Sequence, residues 1–482
     1  MKKIVSLIIC IVLTVCLFSF EVFAETEKGY VYSVIGNQAL IEDVEDNLTG
    51  EITVPETLGG YPVVSILDYA FRDSKVESIK LPDSITFIGE GAFINCEKLK
   101  KINLPLGVKE IKKDTFSQCF SLKEVKLSGT VTLIGGNAFF NCSSLTKIYL
   151  IGVKDIEFSA FRNCKKLSDV AFSDSLETIG ESAFYGCSSL KEFSIPSSVN
   201  YIGSDVFGGC SALHKIKVSE SNKIFSSVDD VLYNEDVTTL YWYPSGKTDK
   251  SFVMPKTVEK VVWGAFEGCK NLKRITVNFI GTERNGEFST GFASIFGDKM
   301  PTNIETVILK DIVSVPGNTF YDCSKVKKIV LPKTVTEIGE YAFAGCSSLT
   351  SINVPENVKT IGDGAFKNCT SLKKITLPKG IEEGNNVFEG CENIKVIFGE
   401  EKTEKDESQQ SVDNTSSAFE INSSETENEP DPKPVPDNQK PEKNNKIYKI
   451  LIIVILSVTV LALIMTMLMS KHGKALFRLR IL

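Results

Sequence analysis

Apolar positions recur along most of this chain at a fixed interval. Residues 88–104 show one unit: Ile88-Gly89, Ala92-Phe93, Cys96, Leu99, Ile102 and Leu104, followed by Pro105. The closing Leu-x-x-Ile-x-Leu ends in a two-residue alternation, which predicts a short strand. The preceding Ile-Gly-x-x-Ala-Phe-x-x-Cys-x-x-Leu spaces its apolar residues by three, which predicts turns or a short 3₁₀ segment. Pro82, Pro105, Pro196, Pro332, Pro355 and Pro378 follow the strand and stop it, because proline has no amide to donate to a ladder.

Eleven cysteines, at 96, 119, 142, 164, 187, 210, 269, 323, 346, 369 and 391, mark the period as 22 or 23 residues, with two long intervals of 59 and 54. A phenylalanine precedes each by three residues, from Phe93 to Phe388; further units without the cysteine lie at Phe71 and around Phe296, for about thirteen coils. A 23-residue unit cannot close a core alone, so stacking must supply one. The pattern predicts an α/β-type solenoid, mostly strand and turn, a right-handed coil with a parallel strand on its concave face and one continuous apolar interior. At about 4.8 Å per coil the array would be roughly 60 Å long.

The recurring Ile-Gly-x-x-Ala-Phe-x-x-Cys-x-x-Leu-x-x-Ile-x-Leu-Pro resembles the leucine-rich repeat of the BspA-like, or Treponema-type, bacterial surface proteins, over about residues 66–399. Residues 25–65, with Ile52-Thr53-Val54-Pro55 and Gly60-Tyr61-Pro62-Val63, are similar to the segment that caps such arrays. The resemblance implies a leucine-rich repeat fold and adhesion to host or neighbouring-cell proteins, extracellular-matrix components included. No asparagine follows the second strand leucine where common leucine-rich repeats carry one, since Gly107 stands there, so no asparagine ladder is expected at that position.

The two ends predict location. Residues 1–24 have the order of a signal peptide: Lys2-Lys3, an apolar run from Ile4 to Phe20, and a small Ala24 at the expected cleavage point. Ile450 to Met469 is apolar with three polar interruptions, which predicts a transmembrane helix over 447–469 and a short cytoplasmic tail over 470–482. Between core and anchor, residues 400–446 carry thirteen acidic and six basic residues and five prolines, the composition of a disordered acidic stalk. This arrangement puts the repeat domain outside the cell on a single membrane span.

The net charge of −7 excludes a generally basic, nucleic-acid-coating protein. With only His214 and His472 as histidines, no Cys-x-x-Cys, and no P-loop, zincin, nucleophile-elbow or calcium-loop motif, the sequence offers no catalytic residue, metal site, cofactor or small-molecule substrate. Asp229-Asp230 and Glu235-Asp236 flank Val231 to Asn234 and read as hairpin turns in preference to calcium ligands. The cysteines occupy one apolar register and are odd in number, so they read as reduced core residues, with partial pairing between neighbouring coils as the alternative.

Two features are candidates for binding. The interval from Cys210 to Cys269 exceeds one repeat by 36 residues, an insertion at about 219–257 whose Tyr233, Tyr241, Trp242 and Tyr243 are side chains suited to anchoring an interface. The outward strand positions, five and seven after each cysteine, carry Lys101, Lys126, Lys147, Lys215, Lys217, Arg274, Lys328 and Lys374 against Glu124, Asp169 and Glu192. Such a strip would attract an acidic protein, an acidic glycan or the protein's own stalk; a solvated face that blocks aggregation accounts for the same charges. The expectation is a non-enzymatic, membrane-anchored surface protein that mediates protein-protein interaction, as an adhesin. The alternatives are an envelope sensor or scaffold acting through a partner membrane protein, and a structural surface protein with no specific ligand.

Overall fold

The computed structural model describes residues 24–284, 291–297 and 303–399; the predicted signal peptide other than Ala24, the stalk, the transmembrane helix and the tail lie outside the described residues. Among the described residues no helix is long and apolar enough to cross a membrane.

The repeats form a solenoid built almost wholly of strands and turns. Each coil contributes one longer strand, such as Lys101–Asn103, Glu124–Lys126 or Lys147–Leu150, and one two-residue strand, such as Glu110–Ile111, Leu133–Ile134 or Asp155–Ile156. The longer strands pair in parallel from coil to coil, with Ile102 beside Val125 and Ile148 beside Val170. The short strands form a second parallel sheet, in which Ile111, Ile134, Ile156, Ile179 and Ile202 stand in one column. The Ile-Gly dipeptide, read from spacing as a turn, is therefore also a ladder position. An α/β label is corrected: the described residues contain no α-helix, only the 3₁₀ helix Phe292–Phe296. The reason is local. Most coils turn through two left-handed residues, for example Asn137 at φ 55° and Asn141 at φ 59°, and a left-handed residue interrupts any helical run.

The repeated phenylalanine forms the spine of the core. From Phe71 through Phe93, Phe116, Phe139 and Phe161 to Phe184 the ring centroids are 5.0 to 5.4 Å apart with near-parallel planes, the spacing that the strand ladder imposes. All eleven repeat cysteines are buried free thiols. Most do more than fill space: Cys119, Cys142 and Cys164 donate their S–H at 3.1 Å to the carbonyls of Phe93, Phe116 and Phe139 in the preceding coil. Burial pushes the thiols of Cys119, Cys142, Cys164 and Cys210 up, to about 12 at Cys210. The glycine after the isoleucine is required by close approach. A Cβ on Gly180 would lie 2.6 Å from the backbone of Glu157 and Phe158 one coil earlier.

At the N-terminal end Glu25–Glu27, Tyr30–Ile35 and Gln38–Val44 make an antiparallel meander. Gln38–Val44 then pairs in parallel with Tyr61–Ile66, and Tyr30 sets its ring edge on Phe71 at 6.4 Å, covering the end of the spine.

The interval from Cys210 to Cys269 corrects the picture of a single interior. Phe225–Val228 and Val231–Asn234 form a hairpin whose two-residue turn is Asp229-Asp230, both at positive φ as a type I′ turn requires. Thr239–Trp242 is antiparallel to the second hairpin strand and parallel to Lys260–Val261, so it passes the chain from the hairpin back to the solenoid. The middle strand, Val231–Asn234, is covered on both faces, its first three residues all being buried. Leu232 and Trp242 belong to the apolar cluster of the N-terminal coils, while Val231, Tyr233, Leu240 and Tyr243 belong to a second cluster that continues to Cys391. A strand buried on both faces reads as a continuous apolar run, which is what the sequence shows here. The interior is thus two cores with the hairpin as the wall between them.

Candidate functional site

The structure separates the two sequence-derived candidates. The insertion patch is withdrawn as an anchor surface: Tyr233, Trp242 and Tyr243 are 1%, 4% and 2% exposed. Tyr241 is half-buried with its ring against Phe225 at 5.3 Å. Tyr243 takes the spine position of an extra coil, its amide donating to the Ala265 carbonyl at 2.8 Å as Phe71 does to Ala92. The 36 residues are therefore a hairpin plus a coil whose tyrosine and missing cysteine disguised it, with no projecting lobe.

The strand-face candidates fare differently. Lys101, Lys126, Lys147, Lys217, Arg274, Lys328 and Lys374 are exposed and Lys215 is half-buried, with the alternate residues Ile102, Val125, Ile148 and Ile216 facing the core. Register then decides what each cation sees. In the N-terminal coils Lys101 pairs across the ladder with Glu124, Lys147 with Asp169, and Lys215 with Glu192, so opposite charges stand side by side about 4.8 Å apart. Lys147 also lies 5.9 Å from the Tyr149 ring centroid. In the C-terminal coils Arg274 stands between Ser251 and Thr306, Lys328 between Thr306 and Ser351, and Lys374 beside Lys395. No acidic residue occupies that column there.

Counting from the cysteine missed part of this surface. Lys395 sits four after Cys391 and still aligns with Lys374, because the last coil is one residue shorter between its leucine position and its strand. The column one residue earlier is also basic, with Lys250, Lys273, Lys327 and Lys373 exposed beside the strand starts. Glu305 is its one carboxylate, bound by Lys273 at 2.7 Å and Lys327 at 3.2 Å and held below the usual carboxylate range by those hydrogen bonds, Lys273 first. Across the two columns the seven C-terminal long strands carry eight cations and one carboxylate, and the seven from Lys75–Lys80 to Lys215–Val218 carry six cations and four carboxylates, His214 aside. The basic character thus resides in the C-terminal half. A shallow groove of about 510 Å³ opens there between Lys250, Lys273, Arg274, Val253 and Ile308.

His214 is exposed, with its Nδ1 3.2 Å from the Ala212 carbonyl. Among the described residues no three histidine, cysteine or acidic side chains gather to hold a metal ion.

Comparison with known proteins agrees with the geometry. Residues 64–152, 151–245, 243–288 and 298–423 match the BspA type leucine rich repeat region, in 6 copies. A leucine-rich repeat protein from Bacteroides ovatus of known structure is 30% identical, with a TM-score of 0.61 over 78% of this chain and 94% of its own. A leucine rich cell surface protein from Faecalibacterium prausnitzii is 28% identical, with a TM-score of 0.50 over 79% of this chain and 96% of its own. No curated protein matches the sequence.

Proposed function

The chain belongs to the BspA type leucine rich repeat family, and from that premise we propose that it is a membrane-anchored surface protein that adheres to extracellular macromolecules through the outer face of its long-strand sheet. One observation carries the reading. The Phe, Cys, Leu and Ile that recur in the repeats pack into the two cores, while the charged side chains of the long strands stand outward in columns in which Arg274, Lys328 and Lys374 have no acidic neighbour across the ladder. A column of cations steers acidic partners and adds many weak contacts, and many copies on one cell would raise the avidity. The cell-surface relative from Faecalibacterium prausnitzii supports the location, as do the signal-like start and the apolar run at 450–469. The proposed activity is binding, without a chemical step.

The test is retention of cells displaying the full chain on immobilised matrix proteins and on neighbouring cells. Replacing Arg274, Lys328 and Lys374 by serine should weaken retention, and raising salt should do the same, because exposed charges are screened over about 8 Å at physiological ionic strength. Retention indifferent to both would sink the proposal.

A further inference from the structure

The C-terminal basic columns are periodic as well as dense. Lys273-Arg274, Lys327-Lys328 and Lys373-Lys374 are cation doublets that recur every second coil, and the coils between them begin their strands with Glu305-Thr306 and Thr350-Ser351. At about 4.8 Å per strand the doublets repeat every 9.6 Å or so, and the seven strands from Ser251–Val253 to Lys395–Phe398 span roughly 29 Å. Within each doublet the first lysine is engaged. Lys273 and Lys327 share Glu305, and the Lys373 ammonium donates to the Thr370 and Glu392 carbonyls at 3.1 and 3.2 Å. The second cation, Arg274, Lys328 or Lys374, has no carboxylate within ion-pair distance among the described residues. From Arg274 to Lys374 the first column therefore offers one unengaged cation per two coils, with backbone ladders fixing the repeat from Ser251–Val253 to Ser351–Asn353, and Lys395 adds a further cation on the strand beside Lys374.

Resting on the adhesion reading above, we propose that this strip docks a linear acidic glycan bearing one carboxylate per disaccharide, laid across the strands. A disaccharide is about as long as two strand spacings, so each repeat of the polymer would place its carboxylate at the next unengaged cation. The array is rigid and regular, which favours a polymer with the same regularity over an acidic peptide whose charges fall irregularly. Duplex DNA fits poorly, since its phosphates recur at about 3.4 Å per strand. The N-terminal half is excluded by its own alternation, because a polyanion lying there would meet Glu124, Asp169 and Glu192.

The experiment measures binding of hyaluronan oligosaccharides, from two to eight sugars, to the immobilised full-length chain. Affinity should rise with length until the strip is spanned and fall as salt rises. The triple variant R274S/K328S/K374S should lose about tenfold or more, while K101S/K126S/K147S should change less than about twofold. Thermal unfolding of both variants should match the parent, because all six side chains are exposed. Equal loss in the two variants, or none in the first, overturns the proposal. So does tighter binding of duplex DNA, or full displacement of the glycan by an equimolar peptide of residues 400–446, which would assign the strip to the chain's own acidic segment. If cells still adhere in an Arg274-dependent way while hyaluronan fails to bind, this inference falls and the adhesion reading stands.

Discussion

Tyr243 stacks on Phe266 with ring centroids 5.2 Å apart and planes inclined by 22°, the relationship that successive phenylalanines keep from Phe71 to Phe184 and from Phe320 to Phe388. Its hydroxyl is buried with no hydrogen-bond partner, as is the indole N–H of the adjacent Trp242. The ring contributes packing at the wall between the two cores, and the hydroxyl adds an unmet desolvation cost of about 1–3 kcal/mol. Tyr243→Phe should therefore leave stability unchanged or raise it by up to about that amount, whereas Tyr243→Ala should lose about 3–5 kcal/mol. Urea denaturation followed by circular dichroism distinguishes the two. A strongly destabilised Phe variant would mean that the hydroxyl is bonded after all.

The close approach of coils at the Ile-Gly step makes a second prediction. Gly180→Ala should destabilise by about 1–3 kcal/mol or more, since the added carbon meets only backbone, which cannot rotate aside. Gly129→Ala is the internal control. Nothing lies within 4 Å of its Cβ position and its φ is not positive, so alanine there should be neutral or stabilising by about 0.4–1 kcal/mol. Comparable denaturation midpoints for the two variants would contradict the steric account.

Asp205 makes stability depend on pH. Burial chiefly, with Glu267 adding repulsion and Arg162 opposing, pushes its carboxyl up to about 6 from an ordinary 3.8. The folded state then binds the proton more tightly than the unfolded state, so this residue's contribution falls as pH rises from about 4 to about 6 and stays unfavourable above. Asp205→Asn removes the charge and keeps a side chain suited to the left-handed φ of 54°. The variant should exceed the parent in stability at pH 7.5, with the difference vanishing near pH 4. Asp205 is only half-buried, so solvent screening reduces the effect below the full linkage value. Urea midpoints at the two pH values check the sign.

Thiol chemistry should be graded along the array. Ten of the eleven described thiols are at most 2% exposed, whereas Cys391 in the last described coil is 9% exposed. The neighbouring Cys369 thiol holds Cys391 below the ordinary thiol range and is itself pushed up. Among these eleven, iodoacetamide at pH 7.5 should label Cys391 first, with the others following only on unfolding. Mass spectrometry of the labelled peptides reads the order, and uniform labelling would contradict the burial pattern.

Parts of this architecture were legible from spacing. The Phe-x-x-Cys period, the buried Ile and Leu of the strand and the outward lysines all follow from alternation within one coil. The two left-handed turns could also have been found, since Asn, Asp or Gly recurs just before most of the cysteines, at Asn95, Asn141, Asn163, Gly186 and Asp322. The wall between the cores was not legible. Tyr233, Leu240, Trp242 and Tyr243 have the composition of an interface anchor, and only contact with both neighbouring coils shows that they are interior.

Local periodicity alone therefore established the repeat, its strand and its buried spine, because each coil makes the same burial choice on the same 23-residue schedule. Which coil Tyr243 belongs to, how many cores there are, and which lysines face an acid were decided by stacking. These depend on the residue beside each side chain one coil away, and a one-residue shortening such as that before Lys395 shifts every such neighbour.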